Sequence, residues 1–271
     1  MQNLKTSVEG GTLSITARQL TRCLLIVVAG LTLAGIAGEW AKYSLGSEYL
    51  HAHHLFGLVE KFDLDGENNI PNWYQSSSLL FCAALLATIC VLKRMSRARY
   101  VAHWGGLALI FLALSLDESA SLHEMLVEPV RSVLHTDGFL RYAWVIPGLL
   151  FAAGVGLAYL KFLAHLPFVT RLQFILAGAF FISGAVGMEM IGGRLRDLYG
   201  LQSVQYVAET IAEEVLEMTG ILIFIYGLTA YLGALVQGVQ VTVRGEHQAV
   251  PGAEKIPAQV AGRRQPLKTM A

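Results

Sequence analysis

Charged residues are scarce. Asp, Glu, Lys and Arg make up 15% of the 271 residues, where a soluble domain carries nearer a quarter. A water-facing globule is therefore excluded as the simplest reading. Net charge is also absent, because twenty basic residues balance twenty acidic ones. No broad basic surface points to nucleic acid. Cysteine is limited to Cys23, Cys82 and Cys90. All three lie in apolar blocks, their number is odd and none has metal-ligand spacing, so they read as small packing residues. No internal repeat and no second domain is visible.

What the chain does have is long apolar runs. Hydrophobic residues make up 54% of it, with a mean hydropathy of +0.52. The runs predict an all-α, polytopic membrane protein, a bundle of six transmembrane helices at roughly 22–42, 74–93, 101–125, 143–164, 172–193 and 206–236. Each is long enough to cross about 30 Å of hydrocarbon at about 1.5 Å per residue. The first run, "LLIVVAGLTLAGIAGEW", also has the look of a cleaved signal peptide, although the polar stretch before it is long for that role.

Orientation follows from lysine and arginine. With the N-terminus inside, fourteen of the twenty lie on the inner side and six outside: Lys42, Lys61, Arg131, Arg141, Arg194 and Arg196. The short "KRMSRAR" loop at 93–99 decides the matter, because short loops carry the positive-inside signal. Residues 1–21 are then a cytoplasmic segment, 22–242 the transmembrane domain, and 243–271 a cytoplasmic tail. The tail is polar, holds Pro251, Pro257 and Pro266, and reads as disordered. The expected location is a cell membrane, such as a bacterial inner membrane, with the acidic face external or periplasmic.

The acids are sorted the opposite way. Only Glu9, Glu246 and Glu254 fall inside; the other seventeen occupy outer loops or outer halves of helices. The positive-inside rule does not require this, since acids contribute little to orientation. Glu39, Glu118 and Glu189 each lie 17 residues from the inner start of their helix, a depth of about 25 Å. Glu213, Glu214 and Glu217 enter from the other end of the sixth helix to a similar level. Four helices are thus expected to bring carboxyls to one layer. At about 100° per residue, Asp117 and Glu124 share a stripe with Gly106, Ile110 and Ala113, and Glu118 flanks it. Glu189 shares one with Gly178, Ala185 and Gly193, and Glu213 and Glu217 share one with Gly220 and Gly227. Small residues let membrane helices approach closely, so these stripes are expected to face the bundle interior. His123 lies farther round and can join only if the helix loosens before Pro129. Glu209 and Glu213 also fit the plain start of an amphipathic helix, where acids favour the positive dipole end.

An ionised carboxylate at membrane depth is costly unless paired, hydrated or bound to a cation. The available arginines, Arg131, Arg141, Arg194 and Arg196, are all at the rim. Asp117, Glu118, His123, Glu124, Glu189, Glu213, Glu214 and Glu217 are therefore candidate metal ligands, with Fe, Mn or Zn as the ion. Carboxylates from several helices with a histidine nearby make dinuclear sites, and in outline the set resembles that of the ferritin-like carboxylate proteins. It departs from them in having "EVLE" (Glu214, Glu217) where their Glu-x-x-His stands. The pair Glu213–Glu214 resembles that of the CAAX-type intramembrane proteases, but Met218 stands where their arginine is expected and the last two helices hold no histidine. "HEMLV" places Val127 where an HExxH zinc motif needs its second histidine.

Other features read more plainly. "HAHH" (His51, His53, His54) is an outer-loop segment that could reach the carboxyl layer, and His103 belongs near the inner boundary. "EKFDLDGENN" resembles a calcium loop in miniature, with Asp63, Asp65, Glu67 and Asn69 around Gly66, but reads as a turn because the twelve-residue pattern is incomplete. Trp40, Trp73, Tyr74, Tyr142 and Trp144 fit an interfacial aromatic belt. Three functions stay open: a metal-dependent, carboxylate-bridged enzyme acting on a lipid-like substrate in the bilayer, a proton- or cation-coupled carrier or channel, and a non-catalytic scaffold.

The topology is directly testable. Reporter fusions at Ser96 and at the C-terminus are expected to read cytoplasmic, and one at Asp137 external. A C-terminal reporter on the external side would reverse the orientation.

Overall fold

A computed structural model describes residues 16–236. The N-terminal residues before Thr16, which include most of the expected cytoplasmic segment, and the expected disordered tail at 243–271 lie outside the described residues. The chain is all-helical, with no strand among the described residues, and six helices are long and apolar enough to cross a membrane.

In chain order, α1 is Ala17–Leu45, followed by short α2 (Ser47–Ala52) and α3 (Phe56–Glu60). Next come α4 (Ile70–Met95), α5 (Val101–Ala120), short α6 (Val127–Leu134) and α7 (Val145–His165). The fifth long helix runs through α8 (Phe168–Ile182), a π-helical turn at Ser183–Met188, and α9 (Glu189–Tyr199); α10 is Val204–Leu235. Local chemistry sets several ends. Thr16 closes a reciprocal capping box with Gln19, Asn69 accepts from Asn72 N–H ahead of Pro71, and Ser203 accepts from Tyr206 N–H. Gly200 ends α9 with φ +80°, a conformation that a Cβ would strain.

Two expectations about α5 need correction. The helix ends at Ala120 rather than 125, because Ser121 adopts a left-handed conformation with φ 48° and a 3-10 turn, His123–Leu126, follows. Glu124 is therefore off the helix, and its expected stripe with Asp117 does not exist. The inward face of α5 carries Leu107, Ile110, Phe111, Leu114, Asp117 and Glu118. Ala113 is exposed, so the stripe is rotated by about one position and Glu118 lies on it rather than beside it.

The core sits around α10, which buries the largest share of its apolar stretch; α7 buries the least. Leu79, Leu86, Trp104, Phe174, Ile225 and Leu228 form part of one buried cluster, and Cys82 lies inside it. Between α4 and α5 the contact is polar and close: Ser76 Oγ donates to Ser115 O and Ser115 Oγ to Ser76 O, each at 2.8 Å. Between α10 and α8 the contact is backbone to backbone. A Cβ on Gly220 would lie 2.7 Å from Phe181 N and 2.8 Å from Ala177 O, so only glycine fits.

Gly220→Leu is accordingly expected to lower stability by about 2 kcal/mol, in the range of overpacking effects, whereas Gly233→Leu, with nothing within 4 Å of its added Cβ, is expected to be near neutral. Melting of the two variants in detergent checks this. Equal melting temperatures would mean that the helices are not in contact at Gly220.

Candidate functional site

One cavity of about 480 Å³ runs through the bundle, a size typical of small-molecule sites. Its walls come from α4, α5, α7, the π turn with its flanking α8 and α9, and α10, and the loop at 64–67 covers one end. Ten carboxyl residues line it: Asp65, Glu67, Asp117, Glu118, Glu124, Glu189, Glu209, Glu213, Glu214 and Glu217. His123 lines it as well, but among the described residues no lysine or arginine does. The opposite end is apolar, floored by Tyr159, Phe162, Phe174 and Phe224.

All eight residues expected as metal ligands line this cavity. They do not form a ready-made coordination sphere. Among the described residues no three His, Cys, Asp or Glu side chains are grouped so as to hold a metal ion.

The break after α5 brings in His123. Its backbone N–H donates to Asp117 Oδ1 at 2.7 Å, and its Nδ1 lies 3.0 Å from Asp117 Oδ2. A carboxylate only accepts, so Nδ1 carries a proton in this contact. Burial pushes the His123 imidazole down, but the hydrogen bond and negative charge of Asp117, with Glu189 and Glu124 nearby, hold it above its ordinary value. Glu124 is pushed up by burial and by the charge of Glu67.

Glycines admit the acids of α10. Gly184, in the π turn, faces Glu217: a Cβ there would lie 2.7 Å from Glu217 Cγ and 2.8 Å from Glu213 O. A Cβ on Gly192 would overlap the Glu209 carboxylate. Mid-helix π turns cluster at functional sites, and this one ends where Glu189 begins. Glu189 Oε1 accepts from Trp144 Nε1 at 3.1 Å, and the Trp144 ring packs 4.6 Å from His123. Trp144 is thus part of the site.

Several contributors were not foreseen. Gln75 Nε2 donates to Glu217 Oε2 at 2.6 Å, while Gln75 Oε1 has no partner. Asn72 donates to Glu118 O at 2.8 Å and to Glu118 Oε1 at 3.0 Å. Glu209 Oε1 is buried and also without a partner. Asp65, read in sequence as part of a turn, accepts from Tyr206 Oη at 3.4 Å, and Tyr206 Oη lies 3.2 Å from Tyr142 Oη. Arg196 donates to Tyr142 Oη at 3.0 Å. Nothing in a single amide or tyrosine signalled these roles. The clue was their position, one helical turn into α4 and α10 from the acidic end.

Other expected participants stay outside. Glu39 does not line the cavity; Lys42 holds it at 2.6 Å and reaches Asp63 at 2.5 Å. Three of the long helices, not four, therefore supply carboxyls. The loop before α4 adds Asp65 and Glu67, and the turn after α5 adds Glu124. His51 and His53 stack on Phe56 and Tyr49 instead of reaching the acids. His103 packs against Phe162, Tyr100 and Tyr159 near the apolar floor.

A family model described as a domain of unknown function, DUF8692, matches residues 22–232. The chain belongs to this family. The match takes in every residue lining the cavity. No curated protein and no solved structure matches the chain.

The loop acid gives a pH test. Burial first, then the charge of Asp63, pushes Asp65 up to about 6, from about 3.9 in an unfolded chain. The unfolded state therefore loses this proton first, and stability falls as pH rises from about 4 to about 6. Asp65→Asn removes that loss. Water still reaches the side chain, so the gain at neutral pH is expected to stay below about 1 kcal/mol. Melting of wild type and variant at pH 4.5 and 7.5 checks this: the variant should gain on wild type at the higher pH, and a constant difference would contradict it.

Proposed function

We propose that this is an integral membrane protein with a metal-dependent, carboxylate-bridged enzyme site acting on a lipid-like substrate. The observation that carries the reading is the cavity with ten carboxyl residues, one histidine and no lysine or arginine in its lining among the described residues. Glu209 and Glu217 are buried and the other acids of the helices half-buried, while Asp65, Glu67 and Glu124 reach water; buried carboxylates without bases need protons or a bound cation. Oxygen donors of this kind suit iron or manganese better than softer metals. Glu118, Glu189, Glu213, Glu214 and Glu217 would hold the ion or ions, with Asp117 and Glu124 at the edge and His123 offering Nε2. Such an ion would supply Lewis acidity or redox capacity at the acidic end. Asp117 fixes the His123 tautomer, Trp144 orients Glu189, and Gln75 and Asn72 orient Glu217 and Glu118.

Membrane insertion is supported by the outer surface. Leu25, Ile26, Leu109, Leu150, Leu157 and Phe168 are among many large apolar residues left exposed on the long helices, far more than a water-facing monomer tolerates. The Lys/Arg count favours cytoplasmic termini and an external or periplasmic acidic face of a cell membrane.

A carrier coupled to protons or cations is the second reading, and the π turn favours it. A helix interrupted at Ser183–Met188, beside the acids of α10, resembles the broken helices with which transporters build ion sites. A scaffold without a ligand is opposed by the partnerless Gln75 and Glu209 oxygens.

Glu189→Gln separates these readings, since glutamine keeps an acceptor for Trp144 and removes the charge. For the enzyme, wild-type protein purified without chelator is expected to carry metal and to melt lower when chelated, and the variant to lose both properties. For the carrier, metal stays at background and the variant loses pH-driven ion movement in liposomes. Metal-free wild type with no response to chelator would rule out the enzyme.

A further inference from the structure

The two ends of the cavity differ in chemistry, and together they describe a ligand. At the acidic end the fully buried side-chain atoms without a partner, among the described residues, are acceptors. Gln75 is 1% exposed and Glu209 5% exposed, each has an Oε1 without a partner, and both residues line the cavity. These oxygens call for hydrogen-bond donors. An ammonium group offers two or three and carries the charge that the surrounding carboxylates lack; a phosphate, sulfate or carboxylate head offers none and would be repelled.

At the other end the walls recede. Gly156 of α7 and Gly178 of α8 both line the cavity, and a Cβ on either would meet nothing within 4 Å. Phe111, Phe151, Val155 and Phe181 complete an apolar wall above the aromatic floor. Along α10, Glu214 and Phe224 are ten residues apart, about 15 Å of helix. An extended chain advances at most about 3.6 Å per three bonds, so the arm accommodates about a dozen carbons.

We propose that the cavity takes an amphiphile with a positively charged amine head among the carboxyls and an alkyl chain of about a dozen carbons lying between α7 and α8. This deepens the reading of the cavity as a substrate site and names the substrate class. The head need not displace the metal, because ten carboxyl residues exceed the charge of both. The amine is held by Gln75 with Glu214 and Glu217 beside it, and the chain is received where Gly156 and Gly178 leave space.

The probe is dodecylammonium, set against dodecyl sulfate of the same chain and dodecyl phosphate with and without divalent metal. Binding to the full-length protein in lipid nanodiscs is counted by native mass spectrometry in the presence of chelator, except in the metal arm. Dodecylammonium is expected to saturate at one per chain, at a mole fraction about tenfold lower or more than dodecyl sulfate, the scale of one charged contact. Gly156→Leu and, independently on the facing wall, Gly178→Leu are expected to weaken it about tenfold while metal content stays that of wild type. Gly154→Leu is the control: it lies on α7, outside the cavity lining, with nothing within 4 Å of its added Cβ. Melting curves show that each variant is folded.

Equal binding of ammonium and sulfate would overturn the proposal. So would wild-type affinity in both folded glycine variants, or binding of dodecyl phosphate alone and only with metal. Retained ammonium selectivity in a protein that carries no metal would support this inference and sink the enzyme reading. Metal binding with no ammonium selectivity would do the reverse.

Discussion

Burial of carboxyl groups without matching bases is the constraint on which the rest of this structure depends. A buried acid is expensive in proportion to what it lacks, whether water, a donor or a cation. The bundle supplies donors sparingly: one amide from Gln75 to Glu217, one from Asn72 to Glu118 and one indole from Trp144 to Glu189. These contacts orient the acids without neutralising them. Orientation without neutralisation is what a ligand site needs, because the remaining free energy is released only when a cation or proton arrives.

The same constraint explains departures from regular helix. Ser121 turns the chain left-handed so that His123 folds back onto Asp117. Had α5 continued to 125, that histidine would have pointed away from the acids and Asp117 would have lost both of its donors. The π turn at Ser183–Met188 places Gly184 against Glu217 and starts α9 at Glu189. Each irregularity costs backbone hydrogen bonding, and each places a titratable group against the cavity. Irregular backbone in an apolar surrounding is tolerated where it lines such a space.

Much of this was legible in the sequence and some was not, for identifiable reasons. Helix existence followed from apolar runs, and the gathering of Glu118, Glu189 and Glu213 along one cavity followed from counting along each helix at a constant rise. Facing was less secure. An error of one residue is about 100°, which exchanged Ala113 for Leu114 and moved Glu118 from the flank to the inward stripe. The helix break at Ser121 left no glycine or proline at the position where it occurs, and the π turn hides in an ordinary apolar stretch. Glu39 was misassigned because depth alone cannot tell an acid facing the cavity from one held by Lys42. Gln75, Asn72 and Tyr206 carry no charge pattern, so only the packing of α4 and α10 exposes their part.

Among the described residues, the bases are placed so as to stay out of the cavity. The rim is not short of cations: Arg141 pairs with Asp197, Lys42 joins Glu39 to Asp63, and Arg196 is turned to the Tyr142 hydroxyl. Each of these bases is engaged a short distance from the carboxyls that lack one. A bundle selected only for stability would gain by letting one of these long side chains reach inward, since lysine and arginine readily extend their charge past an apolar stem. Here Asp63, in the loop before α4, and Asp197 of α9 hold Lys42 and Arg141 outside, and the two tyrosines, Tyr142 and Tyr206, stand between Arg196 and Asp65. The interior is thereby kept free of bases by arrangement rather than by shortage. Under the proposed reading its charge is set by what enters, the property that separates a binding site from a packed core.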